Sequence, residues 1–503
     1  MSVATPSAGT SFNSTARRRM AVRVTAAKLG SAKGNPRYYA QGRYLSRAGF
    51  LPGVYLSLTT SGDGDSAALE IVPVSMPTGN RVSAKTVGRS DDTAHRVPVI
   101  DLNAPILRQL FGDGAAIHVR VEEGRIVITR PELDRRIASR LRDGSEGSVF
   151  SGGGLLTEAA RLAGFTPRFA VEWDERYAAI YEQNHPTASM YCMSVHEAAF
   201  ADLPKVELLT MGIPCEPWSM ATRQAKGSGG QKRDGTLPAT AHPLGDMAAW
   251  AFAIVIRTNP RTIVIEEAPG FATSETAFLL RGALSRMGYA VDCRVVDAST
   301  CGYATKRKRT IMVAQTPEDG SRFEPFPEER EATRPVREYL DTEVTDSQWF
   351  DRESKAWVFD HAEKQGAKGN GFGIQTIDLE AKAVGALKKR MLAGQGDSPV
   401  VPHPSRPDTY RWLTLSEMRR FNGVPDSYEL GDAMTTAGEV VGQGVHVELF
   451  ADVIARSTGR AGSVASSEIV EHIGEAGKVA TTEQTAAVLA SPVPTRAQLA
   501  LFG

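Results

Sequence analysis

Between residues 148 and 313 the chain alternates short apolar runs with stretches of helical period, and few architectures accept that rhythm. SVFSGGG, RFAVEW, VELLTMGIP, RTIVIEEA, VDCRVVDA and RTIMVAQ read as strands, whereas LTEAARLAGF, RYAAIYEQNH and GDMAAWAFAIVIRTNP read as helices. Strands separated by helices of this length predict an α/β fold built on an open, mostly parallel sheet. Such sheets gather their ligands beyond the carboxyl ends of the strands, so the residues that follow each strand are the first candidates for chemistry.

The flanks read differently. Residues 1–35 are rich in Ser, Thr, Ala and Gly with scattered cations and predict a disordered basic arm. Residues 36–131 carry two similar segments, GRYLSRAGFLPGVYLSLTTSGDGDSAALEIVP and NAPILRQLFGDGAAIHVRVEEGRIVITR. Each has an apolar turn ending in glycine, a β-rich run, a polar turn and a second strand, the layout of a hairpin repeated in tandem. The pattern resembles the AbrB-like and SymE-like swapped-hairpin modules, which implies a mostly-β domain able to bind duplex DNA. Residues 316–405 are irregular and predict a small second lobe, after which residues 406–458 return to the main fold. Residues 459–503 drift to Ala, Ser, Thr and Glu and predict a flexible tail.

With 58 Lys+Arg against 58 Asp+Glu, the whole-molecule charge makes no case for nucleic acid. Local clusters have to make it: ARRR at 16–19, RQAKGSGGQKR at 223–233 and KRKR at 306–309. No apolar run approaches a membrane span and no secretory leader is apparent, so a cytoplasmic and monomeric protein is expected. The four cysteines, Cys192, Cys215, Cys293 and Cys301, show neither a CxxC pair nor metal-ligand spacing.

SGGGLLTEAA opens a helix directly after a strand, a turn that lets a ligand approach the backbone. Glu172 ends the next strand 20 residues after Gly152, where dinucleotide folds place an acid on ribose hydroxyls, and Trp173 offers a flat face to a purine. No Lys or Arg lies in the turn. A nucleoside without a phosphate chain therefore suits it better than NAD or ATP, and S-adenosylmethionine is such a ligand. Cys215 follows the strand VELLTMGIP, between Pro214 and Pro217. A small buried hydrophobe and a nucleophilic thiolate are both open readings of that thiol.

Taken in order, these stretches resemble a cytosine-5 DNA methyltransferase over residues 148 to 458. FSGGG with a later GF, VEWD at 171–174, GIPCEPWS, IEEAPGF at 265–271, TKRKR at 305–309, RWLTLSEMRRFNGVPDSY at 411–428 and VGQGV at 441–445 resemble the family's motifs in their usual order. The resemblance implies a Rossmann-like, S-adenosylmethionine-dependent domain and a target-recognition lobe at 316–405. It also implies a covalent route to 5-methylcytosine in a flipped-out base. Cys215 would add to carbon 6, Glu266 would hold or donate a proton at N3, and Arg307 and Arg309 would contact O2 and position the cysteine loop. Phe150, Gly152, Gly154, Glu172, Trp173, Ser194, Val195, Pro214, Gln443 and Val445 are the implied cofactor residues. Ser219, Arg223, Lys226, Lys232 and Arg233 would hold phosphates around the extruded nucleotide.

Several positions depart from the family's pattern. Glu216 stands where Gln is usual, Glu267 where Asn is usual, Thr305 where Gln is usual and Ser194 where Asp meets the adenine amino group. These departures bear on affinity and rate and motivate one rival reading, an inactive DNA-binding protein. A transfer-RNA substrate, used by one branch of the family, is the other rival. Finally, Gln498, Leu499, Leu501 and Phe502 in the terminal QLALF resemble the peptide by which bacterial proteins dock on the DNA polymerase sliding clamp, with Leu501 and Phe502 as apolar anchors.

Overall fold

The computed structural model describes residues 23–87, 95–216, 218, 244–317, 323–367, 374–389, 391–394 and 398–460. The first domain holds strands β1 (Arg23–Lys28), β2 (Gly30–Ala32) and β3 (Asn35–Gln41), helix α1 (Arg43–Arg47), then β4 (Tyr55–Ser61) and β5 (Ala68–Val74). The order repeats as β6 (Asn80–Arg81), β7 (Ser83–Val87), β8 (His95–Asn103), α2 (Pro105–Phe111), β9 (Ala116–Glu122) and β10 (Arg125–Thr129). These strands form a six-stranded sheet, β1-β9-β10-β5-β4-β6, and a four-stranded one, β2-β3-β8-β7.

Both sheet orders read as a unit and its mirror in sequence, the mark of two interlocked copies related by a pseudo-two-fold axis. The strands directly before each helix, β3 and β8, pair with each other, as do the last strands β5 and β10. Each unit also lends a strand to the other: β1 lies on β9, and β6 on β4. Alternation along the strands drives this arrangement, because Leu56, Leu69, Ile71, Val119, Ile126 and Ile128 all turn inward onto Leu45 of α1 and Leu107 of α2. The expected tandem repeat is thus present, but its boundary needs correction. Residues 23–35, expected within a disordered arm, form β1, β2 and the start of β3. The partner β9 imposes extended structure on β1, whose largely exposed side chains carry no period-two signal.

A short helix, α3 (Glu132–Ala138), leads into the main domain: β11 (Ser145–Val149), α4 (Leu155–Leu162), β12 (Thr166–Glu172), α5 (Glu175–Asn184), β13 (Ser189–Cys192), α6 (Val195–Ala198) and β14 (Leu208–Gly212). It continues through α7 (Met247–Thr258), β15 (Thr262–Glu267), α8 (Glu275–Arg286), β16 (Ala290–Asp297), β17 (Thr305–Lys306) and β18 (Lys308–Gln315). The seven-stranded sheet runs β13-β12-β11-β14-β15-β18-β16, parallel apart from β18, which is antiparallel to β15 and to β16. Successive residues serve opposite faces. Leu208, Val264, Ile311 and Val313 enter one apolar cluster with α4, and Leu209, Ile263, Ile265 and Met312 enter another with α7 and α8.

The second lobe contains β19 (Phe350–Asp351), α9 (Ala356–Ala367), β20 (Val384–Gly385), β21 (Val400–Pro402) and β22 (Thr409–Trp412). Its small sheet has the order β19-β22-β21, so residues 409–412, expected in the returning part of the main domain, belong to this lobe instead. The chain then covers the α4 face of the main domain with α10 (Leu415–Phe421), α11 (Met434–Gln443) and α12 (Val447–Ser457), the last packed along α4.

Candidate active site

Two sets of residues meet at the carboxyl ends of the strands. The first surrounds the turn from β11 into α4. Gly154 caps α4 at φ 87°, and Phe150 is held at φ 56°, a conformation that costs a non-glycine residue about 1 kcal/mol or more. The turn also lies too close to its neighbours for side chains. A Cβ on Gly153 would stand 2.7 Å from Val440, and one on Gly154 2.6 Å from the Tyr428 hydroxyl, which itself donates to the Gly153 carbonyl.

Glu172, at the end of β12, gathers this turn. One carboxylate oxygen accepts from Gly152 N at 2.8 Å, the other from Trp173 N at 3.0 Å and Asp174 N at 2.9 Å. Burial pushes its pKa up, while these three N–H groups favour the charged form. Oε2, with Gly152 N as its one partner, keeps a second lone pair for a ligand hydroxyl. Trp173 is 73% exposed and offers its ring face. Ser194 has a narrower part than its place in the motif implies: it is the N-cap of α6, accepting from Glu197 N and donating to the Glu197 carboxylate at 2.8 Å, and Val195 is buried beside it.

The second set lies one strand further along, at the end of β14. Gly212 is in register with Glu266 of β15, and a Cβ there would come within 3.9 Å of the Glu266 carboxylate. Pro214 and Cys215 follow. Trp218 N donates to Cys215 O at 3.0 Å, and the fully buried Trp218 ring meets Phe271 edge-on at 5.0 Å, which fixes the loop to the core. Cys215 is an exposed residue, yet its thiol lies deep enough that burial, then the carboxyls of Glu267, Glu216 and Glu266, push its pKa up to about 12. Arg309 opposes them and pairs with Glu266 at 2.6 Å. In this state the sulfur is a protonated thiol. A thiolate needs the surrounding negative charge to be relieved.

Arg307 departs from expectation. It is 2% exposed, and its guanidinium donates to the carbonyls of Leu387 (2.9 Å), Gly442 (3.2 Å), Gln443 (2.8 Å) and Gly444. All four acceptors are backbone, so Arg307 ties the end of α11 to the second lobe and bears on Glu266 and Cys215 through its charge alone, whereas Arg309 makes the ion pair with the Glu266 carboxylate. Gln443 itself is exposed and meets Arg307 through its carbonyl, whereas Val445 is buried. Position within the motif does not tell which arginine is the deeper. Two further participants were not singled out as site residues: Tyr428, which holds Gly153, and Glu267, 0% exposed, whose Oε2 accepts from Ala268 N while Oε1 has no partner. Tyr428 was visible only as the last letter of a motif. Ser219, Arg223, Lys226, Lys232 and Arg233 lie outside the described residues, as do Gln498, Leu499, Leu501 and Phe502.

Among the described residues no cluster of His, Cys, Asp and Glu could hold a metal ion, and no helix is long and apolar enough to cross a membrane. The doubly wound sheet, the glycine turn gathered by an acid and the cysteine loop one strand away define an α/β methyltransferase. Residues 146–459 match the family described as C-5 cytosine-specific DNA methylase, and the chain belongs to that family. It is a DNA cytosine-5 methyltransferase. The Type II methyltransferase M.HpaII of Haemophilus parainfluenzae is 25% identical over 328 residues, covering 59% of this chain and 85% of the relative. The Type II methyltransferase M.NgoBI of Neisseria gonorrhoeae is 25% identical over 308 residues, covering 60% and 89%. Among solved structures, the S. pombe Dnmt2 methyltransferase is similar at 18% identity and a TM-score of 0.46, covering 62% of this chain and 97% of its own.

Proposed function

We propose that the protein transfers a methyl group from S-adenosylmethionine to carbon 5 of a cytosine flipped out of duplex DNA, through a covalent Cys215 adduct. The observation that carries this reading is the placement of Cys215 at the end of β14, beside the Glu266–Arg309 pair and one strand from the glycine turn. The residues of that turn fit the cofactor. Glu172 Oε2 keeps a lone pair for a ribose hydroxyl, Trp173 presents a face for adenine, and the described turn 150–156 holds no cation that would call for a phosphate. Once bound there, S-adenosylmethionine supplies an electrophilic methyl group.

The remaining steps belong to the chain. Carbon 6 is hidden in a stacked duplex, so the base must leave the stack at a cost of a few kcal/mol. Glu266 then holds a proton at ring N3 and offsets the charge that develops on addition. When Glu266 turns to the base, Arg309 is freed to stabilise the sulfur anion. The thiolate forms a bond to carbon 6, carbon 5 becomes nucleophilic and takes the methyl group, a base removes the carbon 5 proton, and the carbon–sulfur bond breaks. Arg307 acts at a distance by holding Gly442–Gly444, whose last residue packs on Leu155 of α4.

Bisulfite sequencing of host DNA after expression should show methylation at a fixed sequence, and duplex carrying 5-fluorocytosine should trap a covalent adduct. Cys215→Ala should abolish both while binding S-adenosylmethionine as wild type does. Turnover by the alanine variant, or no adduct on a duplex that is otherwise methylated, would contradict the mechanism.

A further inference from the structure

The proposed reaction ends with removal of the proton at carbon 5, and three carboxyls stand around the Cys215 sulfur: Glu267, Glu216 and Glu266. Stereochemistry decides which of them that proton can reach. Carbons 5 and 6 are adjacent in the ring, so a sulfur atom adding to one and a sulfonium donor reaching the other cannot share a face. The thiolate adds from the face turned to the loop after β14, and the methyl group arrives on the opposite face, from the glycine turn after the neighbouring strand β11. As carbon 5 becomes tetrahedral, the new methyl group drives its hydrogen out of the ring plane toward the sulfur. The proton therefore has to be collected on the side of Cys215.

Two of the three carboxyls are already committed. Glu266 is in the ion pair with Arg309 at 2.6 Å and is the group that serves ring N3. Glu267 is 0% exposed, its Oε2 accepts from Ala268 N, and burial followed by Glu266 raises its pKa to about 9, so it keeps its own proton at neutral pH. A sealed acid that already carries a proton takes none from a substrate.

Glu216 differs from both. It is exposed, and its carboxyl makes neither an ion pair nor a hydrogen bond among the described residues. The backbone fixes its place: Trp218 N closes a turn on Cys215 O at 3.0 Å, with Glu216 as the second residue of that turn. The buried Trp218 ring, edge-on to Phe271, holds the core side of the turn and leaves Glu216 on the open side. Its carboxyl bears on Cys215 and on Glu267 alike, as a group on the sulfur's side of the loop does. A carboxylate there hinders the first step, because it adds to burial in holding the thiol protonated. The same group suits the last step, which calls for a proton acceptor on that face.

From this arrangement we infer that Glu216 is the base that takes the carbon 5 proton. The inference rests on the proposed covalent Cys215 route. The Glu216 carboxylate accepts the proton, the electron pair of the carbon 5–hydrogen bond forms the double bond between carbons 5 and 6, and the pair of the carbon 6–sulfur bond leaves with Cys215 as a thiolate. Glu216 then passes the proton to the sulfur, which restores the thiol and the carboxylate together. A glutamine at this place cannot accept a proton and leaves the step to water.

The test uses the full chain and a methyl-labelled S-adenosylmethionine. On duplex carrying 5-fluorocytosine, Glu216→Gln should trap the labelled adduct at least as fast as wild type, since no base removes the fluorine and loss of the neighbouring charge eases thiolate formation. On duplex with ordinary cytosine, its turnover should fall at least about tenfold. The labelled protein–DNA adduct should accumulate on acid quenching, and deuterium at carbon 5 should slow the variant more than it slows wild type. Glu216→Asp, which keeps a carboxylate on a shorter stem, should recover part of the loss. Trapping by both variants shows that they are folded. Wild-type turnover by Glu216→Gln without accumulated adduct, a loss matched by slower trapping, or Glu216→Asp no better than Glu216→Gln overturns the inference and leaves the covalent route standing. A wild type that traps no 5-fluorocytosine removes the covalent route, and the base with it.

Discussion

Glu267→Gln is expected to stabilise the protein, and by an amount that depends on pH. Glu267 is fully buried, one oxygen has no partner, and burial followed by the neighbouring Glu266 pushes its pKa up to about 9 from 4.5. The folded protein therefore keeps this acid protonated at neutral pH, whereas the unfolded chain ionises it. A group whose folded pKa is raised stabilises fully below its unfolded pKa, and that contribution is lost as pH rises toward the folded value. Between pH 4.5 and 9 wild type should thus lose up to about 1.4 kcal/mol per pH unit through this one group. At pH 7.5 the interval is three units, an upper figure of about 4 kcal/mol. Glutamine has the same shape, can accept from Ala268 N through its carbonyl, and does not titrate, so it removes the loss.

Urea denaturation at pH 5 and pH 8 measures the effect directly, with the slope m checking that both chains unfold alike. The variant should match wild type within about 1 kcal/mol at pH 5 and exceed it by several at pH 8. Equal differences at the two pH values, or a variant less stable than wild type at pH 8, would refute the reasoning.

Further outcomes follow from other contacts. Arg307→Lys should cost about 3 kcal/mol in stability, because a lysine cannot satisfy four buried carbonyls; a variant as stable as wild type but without turnover would return this residue to the base. Glu172→Ala should weaken S-adenosylmethionine binding by at least about tenfold, as measured by calorimetry, since the acid both gathers the glycine turn and leaves a lone pair on Oε2 for a ribose hydroxyl. A peptide of residues 491–503 should bind purified sliding clamp, and the same peptide with Leu501→Ala and Phe502→Ala should not; equal binding by both removes the clamp proposal.

The sequence reveals these features unevenly, for physical reasons. The central strands of the catalytic sheet were legible because they bury both faces and so appear as apolar runs, as VELLTMGIP does around Leu208 and Leu209. The tandem hairpins were legible through alternation, as at Val119, Ile126 and Ile128. By contrast β1 exists because β9 offers it an edge, and β22 belongs to the second lobe because residues 350–351 and 400–402 pair with it. Neither fact leaves a local trace, since β9 and residues 350–351 lie tens of residues away from the strands they pair with.

The same limit separates the two arginines. Arg307 and Arg309 are two residues apart on an extended segment and point to the same side, so alternation alone assigns them one role. Depth divides them: Arg307 enters the seam between α11 and the second lobe, where only carbonyls await it, and Arg309 stops at Glu266. A motif records that both are needed without recording why. The acidic departures at Glu216 and Glu267 act through depth as well. Glu267 is sealed in the core under the loop and bears more on the sulfur than Glu216, which is exposed and nearer in sequence. A reader of the sequence would rank them the other way, because adjacency is visible in a sequence and burial is not.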